Sequence, residues 1–97
     1  MTASDMLSSA RLALRINTTA YDEQILDLLD AGLKDMGVAG VVIPAEADTL
    51  VKQCAITYTK LHFGEPDDFD RLKASYDEQK AQLSTCTGYT TWIDRTL

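Results

Sequence analysis

At 97 residues the chain has room for one domain and one modest core, because a chain this short buries roughly 60–65% of the surface its unfolded form exposes. With 45% hydrophobic and 25% charged residues, no apolar run near the roughly 18 residues of a membrane helix, and no charged-then-apolar signal pattern at the N-terminus, it reads as a soluble, cytosolic product. The formal charge of −6 leaves no basic face to neutralise phosphates, which argues against an ordinary nucleic-acid binder but not against DNA passing beside a repelling surface.

In chain order the pattern predicts four helices and a tail. The first helix spans about Asp5 to Leu14, with Ser4 as N-cap and Leu7, Ala10 and Leu14 at helical spacing. "RINTTAY" breaks the pattern, and Thr19 followed by Asp22 resembles a capping box. The second helix, about Tyr21 to Met36, carries one apolar stripe of Tyr21, Ile25, Leu28, Leu29, Leu33 and Met36, and Gly37 ends it. "GVAGVVIPA" has no helical period. It is either a loop that caps the core or a protruding apolar loop, with Val41, Val42 and Ile43, that packs on another subunit.

The third helix is expected from just after Pro44 to about Phe63, with Leu50, Val51, Cys54, Ala55, Tyr58 and Leu61 on its stripe. Ile56 and Phe63 lie off that stripe, so the helix should be central, with neighbours on two faces. The fourth helix runs from Pro66 or Asp67 to Leu83, with Phe69, Leu72, Tyr76 and Leu83 inward. The expected fold is thus an all-α bundle of about four helices with a long central helix, an apolar loop between the second and third helices and an extended tail. Residues 1–84 form the helical domain, and residues 85–97 an interaction arm too short to fold alone.

The densest chemistry is "HFGEPDDFDRL", residues 62–72, where the only histidine and four carboxylates share nine positions. Zinc would want several nitrogen or sulfur ligands, and one imidazole is present. A calcium loop wants glycine at its sixth position, and counting from Asp68 that position is Lys73. As punctuation every residue has a task. His62 suits the negative end of a helix, Gly64 the left-handed position beyond it, and Pro66 and Asp67 the first turn of the next helix. Cys54 lies among apolar positions and Cys86 in the polar tail, so they form neither a metal nor a redox motif. With no nucleophile elbow, P-loop, dinucleotide fingerprint or zinc-protease motif, the expectation is no enzyme, no cofactor and no metal.

Three pieces, "LALRINTTAYDEQILDLLDAGLKDMGV", "DTLVKQCAITYTKLHFGEPDDFDRLKASYDEQKAQL" and "TGYT", carry a resemblance from about Leu12 to Thr90. The chain resembles the head–tail connector (head-completion, "DNA packaging") proteins of long-tailed bacteriophages and prophages, and the run "YTKLHFGEPDDFDRLKASYDEQKAQL" is its most specific part. The resemblance implies a small α-helical protomer and a homo-oligomeric ring, dodecameric on the portal, that extends the DNA channel and docks the next head-completion or tail protein. It implies residence in the virion after assembly from host cytoplasm, DNA only in transit, no membrane, no cofactor and no enzymatic activity. A closed ring needs two different patches on each subunit. Tyr89, Trp92 and Ile93 of the tail are the first candidates, as aromatic anchors, and Val41, Val42 and Ile43 the second. The alternatives are a small helical DNA-binding regulator and a generic protein-interaction module.

Overall fold

The computed structural model describes residues 2–44, 48–64 and 67–85. A 3-10 turn, Ala3–Met6, leads into α1 (Leu7–Leu14), followed by α2 (Asp22–Val38), α3 (Thr49–His62) and α4 (Phe69–Thr85). The architecture is all-α, as the periodicity predicts, with no strand among the described residues.

The core lies where the 3-10 turn and the first three helices converge. Met6, Ala10, Ile25, Leu29, Met36 and Val51 are all fully buried there. α3 touches α1, α2 and α4 and is the central helix, as its two apolar faces require. It is not the long one: it has 14 residues, against 17 in each of α2 and α4. The α2–α3 approach is close at Gly32, where an added Cβ would stand 3.2 Å from Tyr58.

The helix ends depart from expectation in instructive ways. Thr2, not Ser4, precedes the first helical turn, and its N–H donates to the Asp5 carboxylate at 2.8 Å. Thr19 and Asp22 form no capping box. Asp22 instead takes two hydrogen bonds from Arg11, one from Nε at 2.7 Å and one from the terminal guanidinium nitrogen. A planar guanidinium meets a carboxylate in this forked manner more favourably than a backbone N–H does. This pair ties α1 to the start of α2 and holds the Asp22 carboxyl below the usual carboxylate range.

α2 runs through Gly37 to Val38, and the left-handed residue is Gly40, at φ 99°. Val41 N–H reaches back to the Met36 carbonyl at 3.0 Å and Gly40 N–H to the Gly37 carbonyl at 3.0 Å, the paired closure of a Schellman motif. Its usual apolar clasp is present as well, since Val41 and Met36 are both buried. The C-terminus of α1 repeats this pattern. Ile16 N–H bonds the Arg11 carbonyl and Arg15 N–H the Leu12 carbonyl, but here Arg15, at φ 59°, fills the position that glycine usually takes.

α3 starts later than expected because Asp48 caps it, accepting from Leu50 N–H at 2.9 Å and Val51 N–H at 3.1 Å. That leaves Leu50 in the first turn and 59% exposed, off the buried stripe. Tyr21 and Phe69, also expected inward, are half-exposed, Tyr21 resting edge-on against Phe63 at 5.8 Å. No helix among the described residues is long and apolar enough to cross a membrane.

Candidate functional site

The α3 side of the junction is built as its residues dictate, but α4 begins only at Phe69, so Asp67 lies before its first turn and not within it. His62 lies in the last turn of α3, Phe63 closes the helix through its N–H to the Thr59 carbonyl at 2.9 Å, and Gly64 turns left-handed at φ 70°. Asp67 is exposed just before α4, and Asp68 pairs with Arg71 one turn on. Glu65 and Pro66 lie outside the described residues. Among the described residues, no three of His, Cys, Asp or Glu converge as a metal would need.

What surrounds the junction is less legible in sequence. A groove of about 290 Å³ opens between α2, α3 and α4, lined by Asp35, Tyr58, His62, Phe69, Tyr76 and Lys80 among others. Asp35 of α2 is its polar centre. It accepts from the Tyr76 hydroxyl and from Lys80 Nζ at 3.0 Å, and both donors come from α4. Lys80 also lies 5.0 Å from the centre of the Tyr76 ring, within range for a cation–π contact. Tyr58 links the aromatic wall, 5.2 Å from Tyr76 and 4.3 Å from His62 between ring centres.

The ionisation of the groove follows from these contacts. The Tyr76 hydroxyl, then Lys80, hold the Asp35 carboxyl below the usual carboxylate range against the opposing effect of burial. Burial, followed by the hydrogen bond to Asp35, pushes the Tyr76 phenol up, so it stays a donor. Beneath them, burial raises the Cys54 thiol to about 11. A thiol so protonated is a poor nucleophile and packs as a small hydrophobe, which agrees with its place in the apolar stripe. The groove therefore holds a satisfied polar link, with a charge on Asp35 and a proton on Tyr76, framed by aromatic rings. Such an arrangement fixes helices against each other and presents a half-exposed aromatic, Phe69, at its mouth.

Of the residues expected at subunit contacts, Val41 is only 4% exposed and belongs to the core, because the Schellman closure turns it inward onto Met36. Ile43 packs against the same core. Of the three, Val42 alone is exposed, at 39%, and Val38, the last residue of α2, is 89% exposed. Thus the loop caps the core with two residues and offers the third to solvent. Tyr89, Trp92 and Ile93 lie outside the described residues. The sequence reading missed Asp35, Tyr76 and Lys80 as one unit. The available signal was Lys80 on the fourth helix, at a position where the apolar spacing calls for a hydrophobe.

A second concavity, about 390 Å³, is bounded by Arg15, Ile16, Asn17, Thr18 and Tyr21 in the α1–α2 connection. Comparison with protein-family models, with curated proteins and with solved structures returned no match for the chain.

Proposed function

We propose that this chain is a subunit of the ring that connects head to tail in long-tailed bacteriophages and prophages. The observation that carries the reading is the run "YTKLHFGEPDDFDRLKASYDEQKAQL", which resembles those connector proteins and spans the end of α3, the junction and α4. The all-α protomer agrees with the fold that the resemblance implies.

Two surface features are consistent with such a role. Exposed apolar side chains sit at separate elements, Leu12 on α1, Val38 and Val42 at the end of α2, Leu50 at the start of α3 and Phe69 at the start of α4. A head-to-tail ring needs two such patches of different composition on each subunit. Exposed acids, including Asp27, Asp30, Asp67, Asp70 and Glu78, repel a phosphate backbone, so DNA could pass without sticking. The tail residues Tyr89, Trp92 and Ile93 remain the first candidates for the portal contact, and Val42 replaces its two neighbours as the candidate in the loop. Neither catalysis nor a cofactor enters this role.

The test asks whether portal and terminase genes flank the coding sequence, then mixes purified protein with portal protein and follows co-sedimentation and electron-microscope images. The expected result is a ring at the portal, lost in Val42→Asp while the monomer keeps its helical circular dichroism. Absence of portal and terminase genes from the neighbourhood, or absence of both co-sedimentation and rings when portal is supplied, overturns the proposal. Salt-sensitive retardation of duplex DNA would point instead to a small DNA-binding regulator.

A further inference from the structure

α4 is held to the molecule differently from the other helices. The fully buried side chains all belong to the 3-10 turn and to α1, α2 and α3. α4 contributes only Leu72, Tyr76 and Leu83 to the buried set, each retaining slight exposure, and packs mainly on α3. Its tie to α2 is the Asp35 link to Tyr76 and Lys80. The helix also has means to persist off the core, through the Lys73–Asp77 pair at 3.0 Å and the Asp68–Arg71 pair, both at helix-supporting spacing. On its N-terminal side the chain turns at Gly64, in open space and at positive φ.

Release of α4 would bare Leu72, Tyr76 and Leu83 on the arm together with Tyr58 and Leu61 on the face it leaves. These surfaces are complementary by construction, and an identical pair exists on every other copy of the chain. Exchange of one element between identical copies needs no new interface chemistry. We infer that α4 is an exchangeable arm, which leaves its own α2–α3 face as an intact helix and seats on the same face of a second copy, with Asp35 of one subunit taking Tyr76 and Lys80 of the other. The inference stands apart from the connector reading and holds for any assembly the chain enters.

The groups facing Asp35 are Tyr76 and Lys80 from α4 and His62 from α3, with Tyr58, Lys73 and Asp77 completing the groove walls. The hydrogen bonds to Asp35 slow the departure of α4 without preventing it, so mixed copies exchange over a long incubation at high concentration.

The Asp35–Lys80 pair provides its own reporter, since a carbodiimide joins a carboxylate to an amine in salt-bridge contact as an amide, with loss of water. Full-length protein grown on ordinary nitrogen is mixed with protein grown on heavy nitrogen, incubated at high concentration and treated with carbodiimide. The dimer fraction is then digested and weighed. Linked Asp35–Lys80 peptides carrying one light and one heavy half are expected, approaching the share set by random pairing. Linked peptides of like isotope only, or no dimer at all, overturn the inference. Hydrogen exchange on the same protein gives the second measurement. The α4 amides should exchange together and faster than those of α2 and α3, and Asp35→Asn should speed α4 alone by about tenfold or more, the loss of a hydrogen bond to a charged group. Exchange of α4 only through unfolding of the whole molecule overturns it.

Discussion

α2 and α4 have the same length, 17 residues, and opposite relations to the core. α2 carries five acids against one lysine, yet it buries Ile25, Leu29, Gly32, Leu33 and Met36 in an unbroken stripe. α4 has acids and bases in equal number but buries Leu72, Tyr76 and Leu83, with Gln79 and Lys80 where the next apolar residue would fall. Charge content therefore does not decide which helix is interior; continuity of the apolar spacing does. Where the stripe on α4 lapses, Lys80 and Tyr76 compensate with a polar link to Asp35, and attachment passes from packing to hydrogen bonding.

The contrast is most directly broken by core truncation. Leu29→Ala should cost about 3 kcal/mol in urea unfolding, the range for a fully buried leucine, and Leu72→Ala distinctly less. An equal loss at both sites would remove the distinction between the helices. Tyr76→Phe keeps the ring and deletes the hydroxyl that donates to Asp35, so a loss of about 1.5–2 kcal/mol is expected by the same measurement. No change there would mean that the ring alone holds α4. Gln79→Leu restores the interrupted stripe and removes a buried side-chain oxygen, Gln79 Oε1, that has no partner among the described residues. It should raise the melting temperature through a gain of about 1 kcal/mol, and a fall would show that the lapse is not a packing defect.

Smaller effects come from the two Schellman ends, which use the same hydrogen bonds with different residues at the left-handed position. Arg15→Gly should stabilise and Gly40→Ala destabilise, each by about 1 kcal/mol, because only glycine takes that conformation without steric cost. Shifts of the same sign in the two variants would refute this account of both turns.

The shallowest effect is that of acid. Asp5, Asp22, Asp35 and Asp68 all have carboxyls held below their ordinary range by hydrogen bonds. Their contribution is complete above the unfolded carboxylate value of about 4 and fades as pH falls through the lower folded values. Stability followed by circular dichroism should therefore be insensitive to these groups from pH 6 to 8 and decline below about pH 4. A decline beginning near pH 6 would show that groups other than these carboxylates set the acid limb.

Much of the fold was legible because helix periodicity and helix ends are local. The stripe on α2 and the stop at Gly64 follow from residues within a few positions of one another. Errors fell where two local signals competed. Gly37 looked like the end of α2, but the stripe reached Met36 and the closure needed a left-handed residue three places further on, at Gly40. Leu50 had the right spacing, but Asp48 capped the helix so late that Leu50 fell in its exposed first turn. Asp22 seemed a capping residue until Arg11, eleven positions earlier, offered a stronger partner.

By itself, then, the sequence determined an all-α chain, its four helices and the helix stop at His62–Gly64, because propensity, capping and apolar spacing act within a turn or two. Only the tertiary structure decided that Val41 turns inward while Val42 faces solvent, that Arg11 holds Asp22, and that Asp35 gathers Tyr76 and Lys80 from 41 and 45 positions away. Those pairings depend on how helices cross, and the crossing is set by the summed packing of contacts such as the Tyr58 ring against the bare backbone at Gly32, which no short stretch of sequence contains.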